Sequence, residues 1–553
     1  MIAFLFTVAA SVFYFGFGHP FRTPKIIVLA VLLTVLAYRH RQRLQVDLAG
    51  VLLFGWPLIT LWWVVNPVLF FGAIAVWALY AQAFASAYPI SEREGDAVRE
   101  GLAWSGMAVA VYGLAQRVGL DFVSIDPADS GGGFFGNPNF AAHFMLLGLC
   151  LGKWRGKNLQ RLGIALLLAG LLVSQSRGAW LGLILFWLLR RDRLPHPLGK
   201  ALPLVLGLSL ILFVSIFFRD LSQGWRYLRH PQDYIAEYRR EPEKPENRSP
   251  WFRGKRFSLM TRWILYRNGL EMVKAHGLLG VGPGQFHIHY PKFAQAAIPD
   301  INLNKKYRAV SAHSLPLDAA IQLGIPWLLL AGWWLWRRYR QTSGEKDFWA
   351  ALAAQGMVAL FSLNYLNPVI VTTLILLAPQ PPHFLPVRGK NGFWVSLALA
   401  GIVALLGWLD YRAGRAEKVE GPGELSVLFP QARARLLVRA GDLSSAWHAQ
   451  FPAFQSDPFG PETIYNMGVV AWVLGGIERD EGLRRLAVRA FLVNRQMHPF
   501  YEPAALRLRS IEAEGGFEAT LRAEDGGDYR VFRRLLEWKN LCRATRSRTL
   551  ANP

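Results

Sequence analysis

Over its first 410 residues the chain alternates between long apolar runs and short polar connections. Thirteen apolar runs recur, near residues 2–18, 25–38, 48–65, 68–87, 100–119, 138–152, 161–175, 178–189, 201–218, 314–336, 348–364, 366–378 and 393–410. Several approach the roughly 20 residues that a helix needs to cross a bilayer. Because helices satisfy their own backbone groups in lipid, the pattern predicts an all-α, polytopic transmembrane bundle of about 12–13 spans.

One polar stretch interrupts this series and predicts a division into four segments. Loops as long as residues 219–312 are commonly functional. The segments are transmembrane helices in 1–218, a large loop in 219–312, the remaining transmembrane helices in 313–410 and a polar C-terminal domain in 411–553.

The C-terminal segment predicts paired soluble helices between residues 461 and 513. Its small and aromatic positions loosely resemble those of tetratricopeptide-type (TPR-like) hairpins: Tyr465, Gly468, Ala471, Ala487 and Ala490. Repeat arrays need several copies, and one or two are visible, so a plain helical domain is an equal alternative. Either one would serve to bind an acceptor or a partner.

Composition supports a membrane protein. Apolar residues make up 52% of the 553 residues, and the mean hydropathy of +0.22 is too high for a soluble chain of this length. The net charge of +23 is better explained by Lys and Arg in cytoplasmic loops than by nucleic acid binding. The two cysteines, Cys150 and Cys542, predict neither a disulfide framework nor a Cys-based metal site.

The distribution of charge predicts the orientation. Five connections are basic, namely 39–43, 153–161, 190–193, 337–340 and 388–390, and all five face the cytoplasm if the N-terminus does. Residues 2–18 lack a basic segment and a cleavage site, so they are predicted to be the first span. The large loop and the tail after Asp410 then lie outside the cytoplasm.

Arg177 lies in the short connection Ser174–Gly178, on the predicted outer side. Arginine at the end of a span is often an interfacial anchor. In short loops on this side, however, arginine is disfavoured, which favours a functional role.

The large loop contains a predicted helix followed by a glycine-rich turn. Arg262, Tyr266, Gly269 and Val273 recur at helical spacing, and the glycines of residues 280–284 then end the helix. These glycines mimic a dinucleotide-binding fingerprint, but no strand precedes them and no βαβ unit surrounds them. A tight turn that returns the chain to the membrane is therefore expected.

His313 lies where the large loop meets the next apolar run. An ionisable group at the end of a span is a functional candidate, and histidine transfers protons well near neutral pH. A lone histidine is nevertheless more often structural. His287 and His289 lack the further ligands that a metal site requires, so no metal is expected.

A fourth polar feature, residues 133–140, lies at the start of the predicted span 138–152, on the predicted outer side. Asn137 and Pro138 suit a helix N-cap and first turn, which predicts a capping role for Asn137. Asn139 and His143 share a helical face, and Asn139 remains a candidate for binding.

Taken in order, five segments resemble the O-antigen ligase and polymerase superfamily: FFGNPNFAAHF, SQSRGAWLGL, RWILYRNGLEM, GVGPGQF and AHSLPLDAAIQLGI. The topology is similar over roughly residues 1–410, whereas the motifs cluster between 130 and 325. The resemblance implies a bacterial cytoplasmic (inner) membrane enzyme. Such an enzyme transfers a glycan from undecaprenyl diphosphate, on the outer face, to an acceptor hydroxyl. The family has about twelve spans, so the thirteenth would deliver the tail outside.

The catalytic residues that the resemblance implies carry over to His313, Arg177 and Arg262. Arginine suits the leaving diphosphate because its charge is permanent and its donors form a planar fork. Histidine suits deprotonation of the acceptor. The further substrate-binding candidates are Arg267, Asn139, Tyr266 and Asp318.

A ligase without cofactors is the first expectation. No Asp-x-Asp cluster appears on the predicted outer face, so arginines are expected to replace a divalent metal, and a single displacement would invert the anomeric configuration. The acceptor stays open between lipid A-core, a growing glycan and a protein. A polymerase or a protein O-oligosaccharyltransferase is therefore the alternative. Outside the enzyme class, a lipid-linked glycan transporter remains an alternative, although transporters usually have ionisable groups at mid-membrane depth.

The large loop has 17 Lys or Arg against 8 Asp or Glu, which favours binding of anionic membrane lipids and diphosphates.

Overall fold

The computed structural model describes residues 1–13, 21–40, 45–46, 48–87, 90–120, 132–190, 207, 226, 229–230, 258–294, 309–362, 367–379, 385–386, 391–416, 437–438, 441–456, 461–497 and 502–513. Nearly all of the predicted span 201–218, the basic stretch 239–256 and the chain after residue 513 lie outside the described residues.

In the described residues, regular structure consists of nineteen α-helices, two short 3₁₀ turns and one pair of two-residue strands. The helices are α1 (Ile2–Ser11), α2 (Thr23–Arg39), α3 (Leu48–Ile59), α4 (Pro67–Ala87), α5 (Glu92–Arg117), α6 (Pro138–Leu151), α7 (Lys157–Ser174), α8 (Arg177–Arg190), α9 (Ser258–His276), α10 (Phe286–Phe293), α11 (Leu315–Gln322), α12 (Ile325–Thr342), α13 (Lys346–Ala359), α14 (Pro368–Leu377), α15 (Asn391–Ala416), α16 (Leu443–Ser456), α17 (Pro461–Ile477), α18 (Glu481–Met497) and α19 (Glu502–Ala513). Strands β1 (Gln45–Val46) and β2 (Leu385–Pro386) pair antiparallel. The predicted all-α class is confirmed.

The chain divides into two compact units. The first comprises Met1–His287 and Val310–Glu420, and the second comprises Ile288–Ala309 and Gly421–Pro553. In the first unit α5 packs against α1, α6 and α7, while α8 packs against α13. Small residues allow these close approaches: a Cβ at Gly101 would lie 2.9 Å from Ala3 O, and one at Gly182 would lie 2.8 Å from Ala354 O.

Two of the described helical segments, Leu69–Ala87 and Lys157–Ser174, are long and apolar enough to cross a membrane by length and composition. The other apolar helices are shorter, so the number of spans and their topology stay predictions. One predicted run, 314–336, is broken in two. It forms α11 and α12, which are separated at Gly324, whose φ is +90°.

Charged side chains pair at the N-terminal end of α5. His40 Nε2 lies 2.8 Å from Glu94 Oε2, and Lys153 Nζ donates to Asp96. Burial raises the pKa of Glu94, but hydrogen bonds from Ser91 and the His40 contact outweigh it and leave that pKa lowered. The Lys153 hydrogen bond lowers the pKa of Asp96. Two of the basic connections therefore meet one end of α5.

In the C-terminal part of the second unit, the described residues form α16–α19, and each of these helices packs against the next. Its core is formed by buried side chains from the last three of these helices: Ala471, Ala487, Val488, Phe491, Leu508 and Ile511. A Cβ at Gly468 would lie 2.7 Å from the Phe491 ring, so the small residue lets α17 approach α18. The predicted paired helices between residues 461 and 513 are confirmed.

Candidate functional site

Arg177 begins α8 directly after a tight turn at the end of α7. Gln175 ends α7 in the left-handed conformation, with φ of 53°. Ser174 Oγ donates to Leu171 O at 2.7 Å, and Ser176 N donates to Ser174 Oγ at 3.4 Å. These local bonds fix the path of the chain into Arg177.

Helix α9 presents its candidate residues on two different faces. Arg262 and Tyr266 are half-buried, and a Cβ at Gly269 on the same side would lie 2.9 Å from the Leu317 side chain in α11. Arg267 is exposed on another face together with Trp263. The structure therefore separates Arg267 from Arg262 and Tyr266.

The glycine-rich turn after α9 is bonded to the end of α11. Val281 N donates to Ile321 O at 2.8 Å, and Gly282 N donates to Gln322 O at 2.9 Å. Gly280 has a φ of +74°, and a Cβ there would lie 2.4 Å from Gln322 O. The predicted helix break and tight turn are confirmed, and the turn follows a helix, whereas a dinucleotide fingerprint follows a strand.

His313 is exposed and adopts a left-handed backbone conformation, with φ of 55°. Such a conformation is uncommon for a residue other than glycine and persists only where the surroundings hold it. Beneath the loop, buried Asp318 accepts a hydrogen bond from Ala312 N through Oδ1 at 2.9 Å. Tyr266 Oη lies 3.3 Å from Leu360 O and, in a longer contact, 3.5 Å from His313 O. Asp318 and Tyr266 thus support the loop that exposes His313.

Arg262 and Arg177 are close enough for their charges to interact. Burial lowers the pKa of Arg262, Tyr266 opposes this shift, and the positive charge of Arg177 lowers that pKa further. Burial raises the pKa of Tyr266, Arg262 lowers it, and Asp318 raises it. The structure therefore brings together five of the seven candidates, with two mutually repelling guanidinium groups among them.

Asn139 lies in the first turn of α6, two residues after the residue that caps this helix. Asn137 caps α6 by accepting from Asn139 N at 2.9 Å, so its predicted capping role is confirmed. Asn139 is half-buried and His143 is buried. Gly133 N in the loop before α6 donates to Gln116 Oε1 at 2.9 Å.

Two residues that the sequence reasoning missed lie at the C-terminal end of α5. Gln116 holds the loop at Gly133, and Arg117 Nη2 donates to Val173 O at 3.0 Å, next to the turn that carries Arg177. The signal was available, because Arg117 ends a predicted span on the side where arginine is disfavoured. That same signal favoured a functional Arg177.

Residues 162–332 match the family model described as O-antigen ligase. Over this segment the chain is similar to the O-antigen ligase family. The matched segment contains all five clustered candidates and Arg267, whereas Asn139 precedes it. No curated protein matches the chain. The match supports a membrane protein of the O-antigen ligase or polymerase type.

Proposed function

We propose that the protein is a membrane glycosyltransferase of the ligase type, which transfers a glycan from undecaprenyl diphosphate to an acceptor hydroxyl. One observation carries the proposal. Arg177 and Arg262 are close enough for their charges to interact, and Tyr266, one turn after Arg262, reaches the backbone of the exposed His313. All four residues lie within the segment that matches the ligase family. We further propose that the site faces the outer side of a bacterial cytoplasmic membrane.

The arginine pair would bind the diphosphate of the donor. Two guanidinium groups that repel each other in a partly desolvated position are stabilised by an anion that contacts both. Arginine also offers paired N–H donors that match phosphate oxygens. As the glycosidic bond breaks, charge grows on the leaving diphosphate oxygen, so the same contacts strengthen towards the transition state.

His313 would activate the acceptor. In a single displacement, the acceptor oxygen attacks the anomeric carbon while the bond from that carbon to the diphosphate oxygen breaks. The bonding pair leaves with undecaprenyl diphosphate, the acceptor proton moves to the neutral imidazole, and the anomeric configuration inverts. General-base assistance of this kind typically contributes about 10²–10⁴-fold.

Tyr266 and Asp318 would act mainly through the His313 loop. Asp318 is 1% exposed and already accepts from Ala312 N, so its contribution would be to position His313 rather than to contact substrate. Tyr266 is half-buried between Arg262 and the loop and would couple the donor and acceptor halves of the site. Arg267 and Asn139 would contact more distant parts of the substrates.

The experiment combines purified protein in nanodiscs with an undecaprenyl diphosphate-linked glycan and candidate acceptors, and measures released carrier and product size. A ligase gives a single-addition product, and its activity persists in EDTA because arginines stabilise the charge. A ladder of growing glycans from donor alone would instead identify a polymerase. Donor translocation in liposomes without any transfer would identify a transporter.

A further inference from the structure

The turn that carries Arg177 lies between two helix ends of opposite polarity. Helix α7 ends at Ser174 with its carbonyl groups, and α8 begins at Arg177 with its N–H groups. A helix carries about half a negative charge at its C-terminus and half a positive charge at its N-terminus. An anion near Arg177 would therefore be attracted by α8 and repelled by the carbonyl groups of α7.

The carbonyl groups at the end of α7 are covered by donors. Leu171 O accepts from Ser174 Oγ at 2.7 Å, and Leu172 O accepts from Gln175 N at 3.2 Å. Val173 O accepts from Arg117 Nη2 at 3.0 Å. The donor at Val173 comes from a different helix and carries a full positive charge.

The end of α5 is itself fixed in place. Gln116 is buried and accepts from Gly133 N at 2.9 Å, so adjacent residues of α5 hold two of the sequence motifs. A Cβ at Gly133 would lie 3.1 Å from Val109 O, about two turns before Gln116 in the same helix. Arg117 thus extends from an anchored helix end to the turn before Arg177.

We infer that Arg117 is a positioning residue for the diphosphate site. It fixes the Ser174–Arg177 turn through Val173 O and offsets the negative end of α7, so that Arg177 meets the donor in a positive environment. The inference rests on the proposed function, because it assigns the anion near Arg177 to the donor diphosphate.

The test uses the full-length protein in nanodiscs and undecaprenyl diphosphate as the probe. Arg117→Met should weaken binding about 2- to 30-fold, which is the range for a charge at a helix terminus. It should raise the KM for the donor and leave kcat within about threefold, as expected for lost uniform binding. The matched control is Arg93→Met, at an exposed position near the other end of α5, which should change neither.

Conservative variants separate the roles of the two arginines. Arg117→Lys should restore binding to within about threefold, because a lysine ammonium is a point charge that suffices for one carbonyl group. Arg177→Lys should bind undecaprenyl diphosphate little better than Arg177→Ala, because a point charge does not reproduce a bidentate fork. Arg117→Gln keeps a donor without the charge, and it replaces Arg117→Met if that variant fails to fold.

Hydrogen exchange of the amides of residues 174–178 provides a readout that does not need the donor. Exchange should accelerate in Arg117→Met and return to normal in Arg117→Lys. Wild-type exchange and binding in Arg117→Met would overturn the inference, and so would Arg117→Lys binding as weakly as Arg117→Met. A wild-type protein that does not bind undecaprenyl diphosphate would remove the proposed function and the electrostatic role. Faster exchange in Arg117→Met would then still support the positioning role, whereas unchanged exchange would overturn it.

Discussion

At the scale of single residues, the candidate site combines charged side chains that interact with each other and a buried side chain that holds the backbone. Arg177 and Arg262 interact electrostatically, whereas Asp318 is buried and bonded to the backbone of the His313 loop. Among the residues that the structure describes, none donates a hydrogen bond to the second oxygen of Asp318, Oδ2, which is buried. Burying a carboxyl group of this kind is costly, so Asp318, in the first turn of α11, is best explained as a group that holds the preceding loop through Ala312 N.

Replacing His313 tests the acceptor half of the site. If the imidazole takes the acceptor proton, His313→Ala should lower the transfer rate about 10²–10⁴-fold while leaving the binding of undecaprenyl diphosphate intact. Transfer is measured as carrier released with time. The control is His230→Ala, which replaces another exposed histidine of the large loop and should act like wild type. Transfer by His313→Ala within about threefold of wild type would make His313 a structural residue, since that lies well below the range for a lost base.

At the scale of elements, short turns set the relative positions of the helices. The Gly280–Gly284 turn bonds to the last residues of α11, and Gly324 approaches the same region, because a Cβ there would lie 2.7 Å from Leu278 O. These close backbone approaches hold α9 beside α11. Arg262 and Tyr266 on α9 therefore stay near the loop that precedes α11.

Alanine substitutions at two glycines should separate a packing requirement from a general helix effect. Gly280→Ala forces a left-handed residue, at about 1–2 kcal/mol, and displaces the Gln322 backbone, so thermal unfolding in detergent should begin at a lower temperature. Gly332→Ala in α12 meets nothing within 4 Å and should be neutral or slightly stabilising. Equal melting temperatures for the two variants would show that the turn does not limit stability.

At the scale of the whole molecule, the predicted orientation in the membrane rests on the distribution of charge. The cluster of acidic residues at one end of α5 contacts the basic connections after α2 and α6, while Arg117 at its other end contacts the turn before α8. The polar features thus separate to opposite ends of α5. The predicted orientation assigns the first end to the cytoplasm and the second to the outside.

Accessibility of single cysteines tests that orientation in a background without Cys150 and Cys542. Cysteines at the exposed positions Lys157 and Arg340 should be protected from an impermeant maleimide in spheroplasts and should react after permeabilisation. A cysteine at exposed His230 in the large loop should react in both conditions. If the cysteine at position 230 is protected in spheroplasts and reacts only after permeabilisation, that result by itself contradicts the orientation and the proposed outer-face chemistry.

Local patterns were sufficient for several features. Helical spacing predicted α9, the glycines predicted its break, and Asn137 with Pro138 predicted the cap of α6. Each depends on residues within a few positions of one another, where helix geometry and backbone sterics act directly. The order of the motifs likewise predicted the resemblance to the O-antigen ligase superfamily, which the match to residues 162–332 supports.

Other features depended on contacts between distant parts of the chain. Only the tertiary structure brought Arg177 near Arg262, turned Arg267 to the other face of α9 and joined Arg117 to Val173. It also divided the apolar run 314–336 at Gly324, because the chain there packs against Leu278 O. Hydrophobic periodicity fixes what a segment forms, whereas close packing between segments decides which side chains meet.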